Sequence, residues 1–525
     1  MLSSTLSFQS SGSLSRRRVL AIGGGLAALA GLSQLTADRS EAAERIADYP
    51  FRLGVASGDP EPDGVVLWTR LAPDALAEDG RGGMPPRRYG VRWEVAEDEA
   101  MRRIVRSGIA TATPELGHSV HVEVHGLRPG REYWYRFRAG GHDSPVGRTK
   151  TAPEPWSRSA LSFAFASCQN FPNGHYVAYR HMAQQDLDLV LHLGDYIYEG
   201  GVDAKAGVRN MSLSPAHNAE ILTLAQYRLR YSLYKSDPDL QAAHAAAPWA
   251  VTLDDHDVEN NWAGERSTNG LSPENLLRRR AAAFRALYEN QPLRASSLPR
   301  ATDLRLYRTL RYGQLATFHV LDTRQYRDRQ DLRRRTDPQR SLLGFEQERW
   351  LLDQLGRSTA TWDVLAQQVM MMRRIGRPGA GFETLDEDAW DGYEASRDRL
   401  LRGLVERRVA NPVVLTGDVH ANFAGNLKKN FDDPDSATVG VELVGTSISS
   451  GGNGTDLDNT GRDYLAANPH LMFHNKQRGY VRCQVTAEQW RADFLVADRV
   501  STADGTVTVR KSFVVQAGRP GLQEA

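Results

Sequence analysis

An α/β domain built on layered sheets, preceded by a small β-sandwich, is the fold this sequence predicts, and three observations carry that expectation. At 525 residues the chain exceeds the size at which one core usually stops growing, so two folded domains are expected. Up to about Pro153 the pattern is one of short alternating strands separated by Gly and Pro turns. Beyond it, continuous apolar runs alternate with stretches of helical spacing, the signature of strands buried on both faces under covering helices.

In the first region, residues 44–153, the runs Val65–Thr69, Val91–Val95, Ser119–Val124 and Tyr133–Phe137 each alternate as half-buried strands do. Leu127-Arg128-Pro129-Gly130, followed by Tyr133 and Tyr135, looks like the turn of a fibronectin-III-like module, in which Pro and Gly set the corner and the tyrosines pack inward. In the second region, residues 154–525, the strands are Leu161–Ala166, Leu187–Leu193, Ala250–Leu253, Leu315–Leu321, Trp362–Ala366 and Pro412–Leu415, with helical spacing over Glu346–Leu355. Gly451-Gly452-Asn453-Gly454 and the stretch from Arg266 to Gly270 are expected to be loops near the site, and the insert 200–247 is expected to help cover it.

Residues 1–43 read as an address. Ser15-Arg16-Arg17-Arg18-Val19-Leu20 precedes a weakly apolar run from Ala21 to Leu35 and small residues at Ala37 and Ala42, which resembles a twin-arginine signal peptide. That run is shorter than the roughly 20 apolar residues that span a bilayer, and no later segment is long and apolar enough. Charged residues make up 25% of the chain and nearly cancel, with a formal net charge of +1, so no nucleic-acid patch is expected. Arg278-Arg279-Arg280 is expected to be a solvated helix face. Two cysteines cannot form the disulfide framework of a small secreted protein; Cys483 reads as core, and Cys168 needs another explanation.

That explanation lies at the strand ends. Four apolar runs end directly in metal-type ligands: Ser167-Cys168-Gln169, Gly194-Asp195-Tyr196-Ile197-Tyr198, Asp254-Asp255-His256-Asp257 and Gly417-Asp418-Val419-His420. Open α/β sheets place their sites at the carboxyl ends of strands, so the four clusters are expected to converge. A Ser-His-Asp hydrolase is disfavoured, because no Gly-x-Ser-x-Gly elbow follows a strand.

The ordered set resembles the calcineurin-like metallophosphoesterase superfamily, with departures at Cys168, Asp255, Asp418 and Gln367-Gln368 that, together with Tyr198, match its PhoD-like alkaline phosphatase and phosphodiesterase branch. The most specific strings are Ala166–Gln169, His192–Glu199 and Asp254–Trp262, and the resemblance spans signal, sandwich and a metallophosphoesterase-type layered sheet domain. It implies an exported enzyme, periplasmic or secreted through the twin-arginine machinery, that hydrolyses phosphate mono- and diesters with a hydroxide held by metal. A monomer acting on small or cell-surface esters is expected.

Donor chemistry agrees with an iron and calcium site. Cys168, His420 and a phenolate from Tyr196 or Tyr198, of which the resemblance implies Tyr198, suit a transition metal, and their anionic donors favour ferric iron. Asp255 and Asp418, with the side-chain carbonyl of Gln367 or Gln368 as a further candidate, are oxygen donors of the kind calcium prefers; Asp195 is placed between the two metals. One Fe3+ and one or two Ca2+ are expected. His256 is assigned to stabilising the transition state or protonating the leaving group, Asp257 to orienting His256, and Asn260 to touching the phosphate. The competing readings are a diesterase specialised for phospholipids or teichoic acids on the same site, and a secreted binding protein without activity.

Overall fold

The computed structural model describes residues 45–525, so the signal-peptide reading of residues 1–43 lies outside the described residues. Two large sheets face each other. The first has ten strands, in the spatial order Arg519–Glu524, Val507–Gln516, Gln489–Ala497, Gly479–Val485, Leu161–Ala166, Leu189–His192, Pro248–Val251, Val55–Glu61, Gly64–Arg70 and Ser119–Val124. The second has seven, in the order Arg308–Tyr312, Ala316–Val320, Trp362–Ala366, Pro412–Thr416, Thr438–Val444, Asn422–Lys428 and Leu471–Asn475.

Between them lies an apolar layer. Phe163, Phe165, Leu189 and Leu191 from the first sheet meet Phe318, Val364, Val413 and Leu443 from the second. Phe163 sits edge-on to Phe318 at 5.3 Å and to Trp490 at 5.4 Å between ring centroids. The outer face of the ten-stranded sheet is covered by the helices Leu224–Lys235, Pro238–Ala246 and Pro273–Asn290, which bury Tyr231, Leu240, Phe284 and Leu287. The outer face of the seven-stranded sheet is covered by Gly344–Arg357 and Glu394–Glu406 through Leu351, Leu355, Leu400 and Leu404. Strands covered on both faces explain why the sequence shows continuous apolar runs there instead of alternation.

Two expectations are corrected by these layers. Within the insert 200–247, the part from Leu224 to Ala246 is core helix on the ten-stranded sheet and does not cover the site: Leu233, Tyr234 and Leu240 are fully buried. Arg279 and Arg280 are not a solvated face either; both are buried, Arg279 on Glu220 and Glu259, Arg280 on Asp303 and the carbonyls of Gly264 and Thr302. Only Arg278 of that run is on the outside, paired with Glu274 one turn earlier.

The N-terminal region does not close on itself as a separate sandwich. Tyr89–Ala96, Ile104–Ala112, Glu132–Ala139, His142–Asp143 and Gly147–Lys150 form a five-stranded antiparallel sheet. The other N-terminal strands, including the expected Val65–Thr69 and Ser119–Val124, belong instead to the ten-stranded sheet. The joint is parallel, Ser57 against Pro248 and Gly58 against Trp249. It is close enough to require glycine, since a Cβ on Gly58 would lie 2.6 Å from the Trp249 carbonyl oxygen.

The layer between the sheets is expected to dominate stability. Phe163→Ala should cost about 3–5 kcal/mol and lower the denaturant midpoint with the slope unchanged. An unfolding curve shifted by less than about 1 kcal/mol would show that this contact does not hold the layers together.

Candidate metal centre

The three parallel strands Leu161–Ala166, Leu189–His192 and Pro248–Val251 and the strand Pro412–Thr416 of the other sheet all end at one place, where a parallel bridge joins Ser167 to Ser447 across the two sheets. The backbone there is forced to turn at once. Cys168, Asp195, Asp418 and His420 all have left-handed φ, at 60°, 56°, 62° and 51°. Such a conformation is uncommon for residues other than glycine, and each strained position costs on the order of 1–3 kcal/mol unless its surroundings hold it. Gly194, at φ 107°, has no alternative: a Cβ would lie 2.4 Å from that of Asp254.

These turns bring the expected donors together. Cys168 Sγ, an Asp195 carboxylate oxygen and a His420 ring nitrogen lie within 4.8 Å of one another. Tyr198 Oη joins them, donating to Asp195 Oδ2 at 2.9 Å and standing 3.0 Å from His420 Nε2. A second group, Asp254, Asp255 and Asp418, and a third, Asp195, Asp255 and His256, satisfy the same 4.8 Å limit. Asp195 and Asp255 are each shared by two groups, so the donors form one continuous cluster with Asp195 between its soft and hard halves.

Electrostatics show a site short of positive charge. Burial, then the charge of Asp255, pushes the Asp195 carboxyl far up, and burial with Asp254 does the same to Asp418. Asp254 rises to about 6, chiefly by burial, even though Arg324 lies against it. Cys168 and Tyr198 are pushed up by burial and then by Asp195, so both hold their protons until a cation displaces them. Burial holds His420 at about 4, leaving a neutral imidazole able to ligate. Asp255 is the exception: against its burial, Arg324, His256 and the Asn261 N–H, 2.8 Å from Oδ2, keep it ionised.

Some expected roles change hands. Asp257 does not orient His256; it accepts the backbone N–H groups of Asp195, Tyr196, Ile197 and Asp254 at 2.9–3.3 Å and ties two ligand turns together. The partner of His256 is Glu199, whose Oε2 is 2.7 Å from Nδ1 and whose Oε1 accepts the Asn260 N–H at 2.7 Å. Burial acts against a charged His256, but Asp255, Asp195 and Glu199 outweigh it and raise its pKa well above the usual value. The Asn260 side chain is exposed at the rim.

Gln367 and Gln368 are not spare oxygen donors. Gln367 Oε1 accepts from Trp390 Nε1 at 3.2 Å, and Gln368 Oε1 accepts from the Thr323 N–H and hydroxyl at 3.0 and 2.7 Å. Both belong to the framework between strands.

Sequence reasoning quoted Asp254 and Glu199 within its motifs but gave them no individual role, and it missed Arg324 and Asp388. Arg324 is fully buried and reaches Asp254 at 2.5 Å, Asp388 at 2.7 Å, Asp418 at 3.2 Å and Asp255 at 3.4 Å. The signal for it was present, because Leu321-Asp322-Thr323-Arg324 comes directly after a strand in the same way as the four recognised motifs.

A model described as PhoD-like phosphatase matches residues 163–494, and one described as its N-terminal domain matches residues 36–153. The chain is 50% identical over 495 residues to alkaline phosphatase D of Bacillus subtilis (strain 168), covering 92% of this chain and 84% of that one. A solved structure described as that of PhoD superposes with a TM-score of 0.86 at 49% identity, covering 92% of this chain and 93% of that one. The purple acid phosphatase PPD1 from yellow lupin (Lupinus luteus) seeds shares the fold, with a TM-score of 0.51 at 13% identity over 90% of this chain and 75% of that one.

Two outcomes are expected from this geometry. Glu199→Gln should leave metal content unchanged and lower kcat about 10–100-fold, most for esters whose leaving group is a poor one; a loss equal for good and poor leaving groups would refute the orienting role. Because the Asp195, Asp418, Cys168 and Tyr198 pKa values are all raised, protons compete with cations. Metal affinity should therefore fall as pH falls, with protons released on uptake, measurable by chelator competition; an affinity independent of pH would rule out these donors.

Proposed function

The chain belongs to the PhoD-like phosphatase family, and from that premise we propose that it is an alkaline phosphatase hydrolysing phosphate mono- and diesters at a mixed iron and calcium site. The observation that carries the proposal is the convergence of Cys168, Asp195, Tyr198 and His420 on one point beside the Asp254, Asp255 and Asp418 carboxylates. The residues fit such occupants: Asp254 Oδ2 is buried without a hydrogen-bond partner, and the raised carboxyl and thiol pKa values mark a shortage of cations. Cys168, Tyr198, His420 and Asp195 would hold ferric iron, while Asp255 and Asp418, with Asp254 beside them, would hold one or two calcium ions.

When bound, these ions supply positive charge for the phosphate oxygens and activate water as the nucleophile. The chain's own residues do the rest. Glu199 fixes one ring nitrogen of His256, which leaves the other to hold a proton for the departing alcohol oxygen. Asp257 keeps the Asp195 and Asp254 turns in register, and we assign the exposed Asn260 to touching a phosphate oxygen. Arg324 remains as a fixed cation among the carboxylates.

We read residues 1–43 as a twin-arginine signal directing the enzyme to the periplasm or outside the cell, 44–153 as the N-terminal domain and 154–525 as the catalytic domain, a division supported by the boundaries of the two matched models. Among the described residues no helix is long and apolar enough to cross a membrane. A monomer is our reading for the oligomeric state.

Hydrolysis of p-nitrophenyl phosphate and of bis-p-nitrophenyl phosphate at alkaline pH, before and after chelation, tests the function and ranks mono- against diester activity. Cys168→Ser and Asp195→Asn should each lose metal and activity together. Full activity in both variants would sink the assignment.

A further inference from the structure

Tyr198 Oη has three polar neighbours, and only two of them belong to the expected donor set. The third is Ser450 Oγ, 2.7 Å away. Ser450 is 1% exposed and comes just after the bridge that joins Ser167 to Ser447, so its loop is fixed against the Cys168 turn. The loop is clamped again from the other side. Arg478 donates to the His420 carbonyl at 2.6 Å, to Ser447 Oγ at 2.9 Å and to the Gly452 carbonyl at 2.7 Å, which ties the segment of Ser450 to the turn that presents His420.

The hydroxyl of Ser450 has one proton to give and two takers. Its oxygen already accepts the Asn170 N–H at 3.1 Å, and it lies 2.7 Å from the Cys168 carbonyl as well as 2.7 Å from Tyr198 Oη. While Tyr198 keeps its own proton and donates it to Asp195, its oxygen is a neutral acceptor that competes with the carbonyl on even terms. Once a cation replaces that proton, the phenolate oxygen is charged, and a hydrogen bond to a charged acceptor is about twice as strong as a neutral one.

We propose that Ser450 is a positioning residue that donates its hydroxyl proton to the metal-bound Tyr198 oxygen and so weakens that oxygen as an electron donor. The effect keeps a ferric ion electron-poor in a site where Cys168 and Asp195 also donate negative charge. The inference rests on the iron assignment proposed above and adds to it a residue that touches neither metal nor substrate. Serine at this position supplies a proton that alanine, of nearly the same size, cannot.

The test uses the full-length iron-loaded enzyme. A phenolate bound to ferric iron absorbs visible light, and losing a hydrogen bond to the phenolate raises its donor level. Ser450→Ala should keep the iron content of the parent while its band moves to longer wavelength by roughly 20 nm, the size expected of one hydrogen bond to a charged acceptor. Ser450→Thr, which keeps the hydroxyl, should restore the parent band. If Ser450→Ala does not fold or load, the parent enzyme decides: its resonance-Raman iron–phenolate stretch should shift in D2O. A band unmoved in Ser450→Ala, or a stretch insensitive to D2O in the parent, would overturn the role of Ser450 and leave the iron assignment standing. An iron-loaded parent with no visible band would overturn both the role of Ser450 and the assignment of Tyr198 as a ligand of the iron.

Discussion

Mutual repulsion among buried carboxylates is the constraint around which the molecule is arranged. Asp195, Asp254, Asp255, Asp257 and Asp388 are buried, and Asp418 is half-buried at the edge of the same cluster. In a medium of low effective dielectric, like charges a few ångströms apart repel by several kcal/mol per pair, far more than in water. The chain supplies part of the remedy itself: Arg324 lies among four of these groups, and Arg327 adds a second contact to Asp388. Asp257 is relieved differently, by four backbone N–H groups, although burial still holds it up at about 7. What is left, at Asp195, Asp254 and Asp418, is a deficit of positive charge that bound cations would remove.

The same constraint explains why strain gathers at one place. Four donor-type residues with left-handed φ would be a liability at arbitrary loop positions. Here the turns are held by bonds that cross between segments: the Cys168 N–H to the Gly194 carbonyl, the Gln169 N–H to the Asp195 carbonyl, and the His256 N–H to Asp195 Oδ1. The cost of the turns is therefore spread over the junction of two sheets, whose apolar layer is one of the largest hydrophobic clusters in the described chain.

Much of this was legible in the sequence because strand ends are local signals. An apolar run that stops at Cys168, Asp195, Asp255 or Asp418 can be read without knowing its partners, and the structure brings all four together. What depended on partners was harder. Asp257 comes after His256 in the chain, and adjacency suggested a contact, but the turn points Asp257 at backbone N–H groups while Glu199, 57 residues earlier, comes round to the imidazole. Gln367 and Gln368 end a strand as the clustered candidate donors do, yet Trp390 and Thr323 occupy their oxygens. The N-terminal strands alternate as a sandwich should, but no periodicity says which edge a strand will join, and here Val55–Glu61 pairs with Pro248–Val251. Arg279 and Arg280 look solvated until Glu259, Glu220 and Asp303 are placed beside them.

The bridge from Ser167 to Ser447 has a consequence for how the protein matures. Cys168, Asp195 and Asp255 come from one sheet, Asp418 and His420 from the other, and the contacts that close the cluster form only when the layers dock. Neither sheet alone presents all the candidate donors, so a cation that needs both sets would meet them only once the sheets have docked. Access to both sets of donors at once is therefore a property of the docked sheets, not of either sheet alone.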